Sequence, residues 1–375
     1  MIPFNRASFE GNELAHLSEA IQIGHVSGNG PNTRQVEQIL TDIHGSGRSL
    51  MTTSCTHSLE IAALLLRLTP EDEVIVPSYT FVSTAAAFLL HGGTPVFVDV
   101  RDDTLNISIE AVEAAITPRT KAICIVHYAG IAADPERFCE LADRHGLVLI
   151  EDNAHGLFAR YRGRNLGTFG AMSTMSFHET KNVTCGEGGA LHLNDQQFLE
   201  RAEILREKGT DRSKFFRGQI DKYTWVDVGS SWVASDLLAG VLLGQLERYR
   251  EIQHRREVVW NRYDIALKEW SMSNNVRTPV VPADCEHSSH MYHLRFGDLD
   301  TRTRFIAHMR NHDVMTVFHY QPLHLSAIGV QLGGRVGQCP VAEEASDTLV
   351  RLPLFASITD SQIDQVLNAA LAFGL

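Results

Sequence analysis

The chain has 375 residues, of which 44% are hydrophobic and 21% charged, with a formal net charge of −12. The composition is typical of a globular protein, and the length favours two domains. The acidic balance, without a block of Lys and Arg, argues against nucleic acid or an anionic membrane surface as the main partner. The N-terminal residues do not resemble a secretory signal, no apolar run is long enough to span a bilayer, and the six cysteines are scattered. We therefore expect a cytoplasmic protein with reduced thiols.

Strand-like and helix-like segments alternate through the first half of the chain. Four short runs rich in Val and Ile are typical of strands covered on both faces, namely residues 73–77, 95–100, 121–126 and 147–152. Helical patterns lie at residues 58–68, 80–91, 108–116 and 135–145. This alternation predicts a mainly parallel sheet with right-handed crossovers, whose ligands bind beyond the carboxyl ends of the strands.

The second half begins with two more predicted strands, residues 174–178 and 190–193. Residues 209–232 show no periodicity, and an irregular connection of this length is more often functional than idle. Ser235 then opens a helical pattern that continues to Leu267, and the last hundred residues, with helices at 303–311 and from 360, predict a smaller α+β unit. The predicted domains are residues 1–245 and residues 246–375.

Asp152 stands at the end of a predicted buried strand, where the apolar run gives way to Asp-Asn-Ala-His-Gly. A carboxylate at the edge of a desolvated site is costly unless it is paired, which makes Asp152 a candidate site residue. Considered alone, it could equally be a helix N-cap or a surface residue.

Lys181 follows the strand predicted at residues 174–178 and precedes a loop with three glycines. Glycines allow a loop to lie close to the core, and a desolvated lysine amine loses its proton readily and forms imines with carbonyl cofactors. A solvated loop lysine is the commoner case for such a residue taken by itself.

A third feature is the run of small hydroxyl residues at 52–58, which precedes a predicted helix. A helix start of this kind exposes backbone N–H groups that bind anions, although simple capping is common. Together with Asp152 and Lys181 it supplies the parts of a pyridoxal phosphate site. The helix holds the phosphate, the carboxylate keeps the ring nitrogen protonated, and the lysine holds the aldehyde.

Three longer runs resemble the DegT/DnrJ/EryC1/StrS family of nucleotide-sugar aminotransferases, namely residues 77–84 (PSYTFVST), 177–182 (FHETKN) and 217–225 (RGQIDKYTW). The resemblance extends from residue 2 to residue 354. It implies an α/β protein of the fold type I class that depends on pyridoxal 5′-phosphate, like aspartate aminotransferase. In this class a large domain with a mixed, mainly parallel sheet is followed by a smaller α+β domain.

The resemblance also implies roles for individual residues. Lys181 would form a Schiff base with the cofactor and later carry a proton between cofactor and sugar, while Asp152 would pair with the pyridinium nitrogen. The other implied cofactor contacts are His155 near O3′, Cys55 and Thr56 at the phosphate, Ser176 through its hydroxyl, Phe81 on the ring face, and Ser231 from the neighbouring subunit.

Substrate contacts are implied by two further segments. His319, Tyr320 and His324 match the part of the small domain that faces the sugar, with a structural cluster at a strand end as the alternative. Arg212 and Lys214, in the irregular segment 209–232, could bind a diphosphate or belong to a solvated loop. The resemblance also implies a homodimer with its sites at the interface, in which this segment could reach the neighbouring site.

The implied reaction moves the amino group of L-glutamate to C4 of dTDP-4-keto-6-deoxy-D-glucose, giving dTDP-4-amino-4,6-dideoxy-D-galactose and 2-oxoglutarate. The C4 epimer as product, a C3-keto nucleotide sugar as substrate, a non-catalytic regulator that binds the cofactor, and an enzyme of free amino acids stay open. Lys181 argues against the related dehydratases, which carry His at that position.

Overall fold

A seven-stranded sheet organises the computed structural model, which describes residues 1–374. The strands are β1 (Arg48–Thr52), β2 (Glu73–Pro77), β3 (Thr94–Val98), β4 (Thr120–Val126), β5 (Val148–Asp152), β6 (Arg160–Tyr161), β7 (Arg164–Asn165), β8 (Met172–Ser176), β9 (Gly189–Leu193), β10 (Cys285–Glu286), β11 (His293–Arg295) and β12 (Leu349–Arg351). Strands β10, β6 and β7 form a small second sheet, and β11 pairs with β12.

Helices cover the sheet and build most of the C-terminal part. They are α1 (Glu13–Ile23), α2 (Pro31–His44), α3 (Cys55–Leu65), α4 (Ser83–Leu90), α5 (Ile109–Ala115), α6 (Pro135–His145), α7 (Leu199–Arg206), α8 (Arg212–Phe216), α9 (Asp236–Glu247), α10 (Tyr249–Ser273), α11 (Leu299–Asn311), α12 (Ala327–Gln331), α13 (Pro340–Thr348) and α14 (Asp360–Leu371). Within residues 1–374, none of them combines the length and apolar character needed to cross a membrane.

The order of strands in the large sheet is β1-β9-β8-β5-β4-β2-β3. Strand β9 runs antiparallel to both of its neighbours, and the remaining pairs, from β8 to β3, are parallel. The predicted α/β fold with a mixed, mainly parallel sheet is confirmed.

Strand β2 shows why the strands of the first half could be predicted from their apolar runs. Val74 and Val76 pack into one apolar cluster, and Ile75 between them packs into another on the opposite face. A strand buried on both faces has no polar alternation, which accounts for the continuous pattern. The predicted strands of this half are β2 to β5, with ends displaced by two residues at most.

Several helices differ from the sequence prediction, since α4 begins at Ser83 instead of residue 80 and α11 begins at Leu299 instead of residue 303. Helix α3 begins at Cys55 instead of residue 58, because the Ser54 side chain accepts a hydrogen bond from the His57 N–H and caps the helix there. The continuous helix expected from Ser235 to Leu267 is interrupted at Arg248, whose backbone leaves the helical conformation between α9 and α10.

A second apolar core lies in the C-terminal part, where α10, α11 and α14 pack with β11 and β12. Ile2 is buried in this core, and its backbone forms a β-bridge with Val314. The first residues of the chain therefore pack with the C-terminal part. The domain limits given above stay a prediction.

Candidate active site

A cavity of about 730 Å³ opens at the carboxyl ends of the parallel strands. Strands β4, β5 and β8 reach it with their last residues, Val126, Asp152 and Ser176. The start of α3 and several residues of the C-terminal part form its other walls. The cavity thus lies where ligands bind in parallel sheets of this kind.

Lys181 lines this cavity from a turn after β8, in which its backbone N–H donates to the carbonyl of His178 at 2.9 Å. The neighbouring Asn182 anchors the turn by donating from Nδ2 to the carbonyl of Ser288 at 2.7 Å. Burial lowers the pKa of the Lys181 amine from 10.5 to about 8. A larger share of the amine is therefore neutral, and nucleophilic, near physiological pH.

Asp152 is only 5% exposed and lies in the same cavity. Its Oδ2 accepts a hydrogen bond from Thr84 Oγ1 at 2.7 Å, and its Oδ1 accepts one from the Ala154 N–H at 3.2 Å. Burial nevertheless raises the pKa of the carboxyl group. A carboxylate in this setting gains much from a cationic partner, which restores the charge balance lost on desolvation.

The start of α3 forms the end of the cavity that is suited to an anion. Cys55 and Thr56 lie in its first turn and line the cavity, and burial raises the pKa of the Cys55 thiol, so that it stays protonated. Gly189 of β9 packs against this turn so closely that a Cβ there would lie 2.3 Å from the carbonyl carbon of Ser54. Free N–H groups at a helix start favour phosphate.

His155 stands between two other rings at the cavity. Its Nε2 lies 3.2 Å from Tyr320 Oη, and its ring stacks on that of His290. Burial raises the pKa of Tyr320, so the phenol keeps its proton, and burial lowers the pKa of His155, so the ring is neutral. In one of the two tautomers of this neutral ring, the phenol donates to Nε2. The ring proton is then on Nδ1, a buried atom without a hydrogen-bond partner among residues 1–374.

These groups fit pyridoxal 5′-phosphate. The unpartnered N–H of His155 suits an oxygen acceptor such as the ring O3′, the buried carboxylate of Asp152 suits a ring N–H, and the amine of Lys181 suits the aldehyde. Phe81 lines the cavity with 56% of its surface exposed, as a face that an aromatic ring can cover.

The structure brings two of the three predicted sugar-facing residues to the cavity. His319 and Tyr320 line it. His324 does not, because its ring is fully buried, with Nδ1 2.6 Å from Ser78 Oγ and Nε2 3.0 Å from Glu343 Oε1. Both ring nitrogens are occupied, and the ring joins two parts of the chain as a structural element.

Three other predicted residues lie outside this cavity. The guanidinium of Arg212 lies 5.0 Å from the ring centre of Phe216, and Lys214 forms an ion pair with Glu200 at 2.6 Å. Ser231 is exposed in the connection that precedes α9. Because the roles predicted for these residues involve a nucleotide or a neighbouring subunit, they stay predictions.

Several residues that line the cavity were not singled out as candidates from the sequence, among them Phe4, His290 and Arg351. They are distant in the chain from Asp152 and Lys181, and no local pattern connects them with these residues. A signal for Arg351 was present, since it is a charged residue at the end of an apolar strand, which is the feature that identified Asp152.

Comparisons with known proteins agree with this geometry. The model of the DegT/DnrJ/EryC1/StrS aminotransferase family matches residues 8–371. The spore coat polysaccharide biosynthesis protein SpsC of Bacillus subtilis (strain 168) is 31% identical over 376 residues, which cover 98% of this chain and 96% of that protein.

Solved structures are similar over nearly the whole chain. The aminotransferase TlmJ of Streptoalloteichus hindustanus superposes with a TM-score of 0.90 at 31% identity, covering 99% of this chain and 98% of that one. The putative sugar aminotransferase Spr1654 of Streptococcus pneumoniae, in its PLP form, superposes with a TM-score of 0.91 at 26% identity, covering 98% and 97%. The predicted cofactor and fold type I class are confirmed. The chain belongs to the DegT/DnrJ/EryC1/StrS family and is a pyridoxal phosphate-dependent sugar aminotransferase.

Proposed function

We propose that the enzyme transfers the amino group of L-glutamate to C4 of dTDP-4-keto-6-deoxy-D-glucose, giving dTDP-4-amino-4,6-dideoxy-D-galactose and 2-oxoglutarate. The transfer chemistry is supported by one observation above all, that the half-buried amine of Lys181 and the buried carboxylate of Asp152 share one cavity. The choice of sugar rests on the resemblance in residues 77–84, 177–182 and 217–225 to transaminases that make this product. The similarity to SpsC supports use of the product in a polysaccharide.

When bound, pyridoxal phosphate supplies an electron-withdrawing ring that accepts the amino group of the donor and passes it to the keto sugar. Asp152 holds the ring nitrogen, because its desolvated carboxylate gains from a cation beside it. Lys181 would move one proton on Nζ in each half-reaction, from the Cα atom of the donor to the cofactor carbon in the first, and from that carbon to C4 of the sugar in the second. Its lowered pKa of about 8 lets the same amine accept and release that proton near neutral pH.

Other residues orient the reactants. The backbone N–H groups of Cys55 and Thr56, at the start of α3, hold the phosphate. His155 donates from Nδ1 to the ring oxygen and is kept in place by Tyr320 and by the stacked His290. These fixed contacts hold the bound cofactor in one orientation. Holding the reacting groups in the right geometry lowers the entropic part of the activation barrier.

We further propose that the enzyme works as a homodimer. Residues 209–232 expose large apolar side chains, among them Trp225 at 77% and Phe216 at 68%. Exposed aromatic residues beside polar ones are typical of an interaction surface. In such a dimer, Arg212, Lys214 and Ser231 of one subunit would lie near the cavity of the other subunit. There they would bind the diphosphate of the sugar nucleotide and the cofactor phosphate.

The test is to incubate the holoenzyme with L-glutamate and dTDP-4-keto-6-deoxy-D-glucose and to assign the aminosugar by proton coupling constants. Small couplings of H4 to H3 and H5 identify the galacto product, whereas large couplings of H4 to both neighbours identify its gluco epimer. Product with the gluco configuration, or turnover of a C3-keto sugar alone, would contradict the proposed substrate or product and leave amino transfer intact. In parallel, Lys181→Ala should lose the visible absorption band of the bound cofactor, and exposed Lys268→Ala should keep it.

A further inference from the structure

Within residues 1–374, two phenylalanines of the cavity are more than half exposed, Phe81 at 56% and Phe318 at 53%. The ring of the cofactor can cover Phe81. Phe318 belongs to the C-terminal part and lies beside His319 in the chain. An apolar ring that faces water is unfavourable unless a ligand covers it. Phe318 is therefore a second planar surface of the cavity, and the cofactor does not account for it.

The backbone at Phe318 is held by Arg351, the last residue of β12. Nε and Nη2 of this arginine donate to the carbonyl of Phe318 at 3.3 and 3.1 Å. The backbone N–H of Arg351 donates to the carbonyl of Val317 at 2.8 Å, and the N–H of Val317 donates back to the carbonyl of Arg351 at 3.3 Å. A ring on a backbone fixed in this way loses little conformational entropy when another ring stacks on it.

A positive charge without a counter-ion lies beside this ring. The guanidinium carbon of Arg302, in α11, is 6.0 Å from the ring centre of Phe318. Arg302 forms no ion pair within residues 1–374, and its buried Nε has no hydrogen-bond partner there, whereas Arg304 pairs with Asp300 at 3.1 Å. Free N–H groups of a guanidinium match the oxygens of a phosphate.

We infer that Phe318 and Arg302 bind the nucleotide part of the keto-sugar substrate, with the base stacked on the phenyl ring and a phosphate on the guanidinium. This inference rests on the proposed transfer to a nucleotide sugar. A nucleotide joins a planar base to an anionic phosphate, and the two side chains present the matching pair of groups. His319, the next residue, is the predicted sugar contact, so base and sugar would meet neighbouring residues. A diphosphate has enough charged oxygens for Arg302 to share it with Arg212 and Lys214 of the partner subunit.

The first test measures the binding of dTDP and of inorganic pyrophosphate to the holoenzyme by calorimetry. Phe318→Leu should bind dTDP at least about 5-fold more weakly than the wild type, because the base loses its stacking partner, and should bind pyrophosphate equally well. Arg302→Gln should weaken the binding of both ligands about 10-fold. Phe318→Tyr, which keeps a ring, and Arg304→Gln, which removes an exposed arginine of the same helix, are the matched controls.

The second test separates this role from a structural one. In single turnovers of the aminated holoenzyme, Phe318→Leu should raise the keto-sugar concentration that gives the half-maximal rate at least about 5-fold. The rate of the half-reaction with L-glutamate should stay close to that of the wild type, because this half-reaction contains no nucleotide. Phe318 is exposed, so the variant should keep the thermal stability of the wild type.

Equal affinities of the wild type, Phe318→Leu and Arg302→Gln for dTDP would overturn this inference and leave the proposed function intact. A similar loss in both half-reactions, or dissociation of Phe318→Leu into monomers in sedimentation, would also overturn it, since the ring would then support Arg351 or pack against a second copy. If another nucleoside diphosphate binds in place of dTDP and the same variants weaken it, this inference holds and the proposed dTDP sugar is contradicted. A wild-type holoenzyme that reacts with L-glutamate but binds no nucleoside diphosphate would overturn both.

Discussion

The imidazole ring of His290 stacks on that of His155, with ring centres 4.2 Å apart and planes inclined by 19°. His155 follows β5 of the large sheet, whereas His290 precedes β11 in the C-terminal part. Nδ1 of His290 also lies 2.9 Å from Oδ1 of Asn182, the residue after Lys181. The stack therefore joins the C-terminal part both to the cofactor-facing ring and to the turn that carries the lysine.

We expect His290→Ala to weaken cofactor binding without abolishing it. The loss of a stacked pair costs about 0.5–1.5 kcal/mol, which corresponds to about a 2- to 10-fold increase in the dissociation constant. Titration of the apoprotein with pyridoxal phosphate, followed by absorbance, measures this constant. His290→Phe keeps a ring but loses the contact with Asn182, so its dissociation constant should lie between those of the wild type and His290→Ala. Equal constants for all three proteins would contradict a positioning role of the stack.

The reactivity of Lys181 should depend on pH in a characteristic way. Only the neutral amine reacts with acylating reagents, and the pKa of Lys181 is lowered to about 8 in the protein. In the apoprotein, the rate of acetylation at Lys181 should rise about tenfold per pH unit below pH 8 and level off above it. A lysine in a model peptide, with a pKa of about 10.4, should keep rising beyond pH 9. Peptide mass spectrometry measures both, and identical profiles would contradict the shift.

Thr84→Val should make cofactor binding more sensitive to acid. The variant removes the 2.7 Å hydrogen bond to Asp152 Oδ2, one of the contacts that favour the ionised carboxyl. The pKa of Asp152 should rise further, by about one unit for a lost bond to a charged group. Because the ionised carboxylate is the form that binds the ring nitrogen, the fall in affinity towards low pH should begin at a higher pH. Thr303→Val, at an exposed position of α11, serves as the control, and coincident pH profiles would contradict this account.

Gly189→Ala should damage both stability and phosphate binding. The added Cβ would lie 2.3–2.5 Å from backbone atoms of Ser54 and Cys55, so β9 and the start of α3 must separate. We expect a loss of about 1–3 kcal/mol in the free energy of unfolding, with weaker binding of pyridoxal phosphate. Gly297→Ala is a matched control, since a Cβ at Gly297 meets nothing within 4 Å. Thermal unfolding and cofactor titration measure both effects, and similar results for the two variants would contradict the close approach.

Helices and strands could be predicted from the sequence where nearby residues determine them. The buried strands β2 to β5 appear as Val/Ile runs, and α6 has the predicted bounds because Pro135 and Gly146 mark its ends. Helix α2 was missed although Gly30 caps it and Pro31 is its first residue, since its buried face contains the polar residues Asn32, Thr33 and Glu37, which hide the apolar period. The break at Arg248 carries no Gly or Pro and was not predictable from local sequence.

The residues of the site also fall into two groups, those that local sequence predicts and those that it does not. Asp152 ends β5 and Lys181 follows β8, so their positions at the carboxyl edge of the large sheet could be predicted from the pattern of the chain. That His290 and Arg351 line the cavity depends on how the C-terminal part packs against that edge, which the local sequence does not determine. His324 shows the opposite case, because the family resemblance implied a substrate contact for it, whereas packing against Ser78 buries it.

The antiparallel strand β9 has a consequence for engineering of this enzyme. Strands β8 and β9 form one hairpin whose connection carries Lys181, and Gly189, the first residue of β9 after that connection, touches the first turn of α3. One short piece of chain thus sets the spacing between the reactive amine and the anion-binding end of the cavity. If the function proposed above holds, libraries that seek acceptance of a new sugar should keep residues 172–193 and Ser231 constant and vary His319 and the rest of the segment 209–232, so that this spacing is inherited.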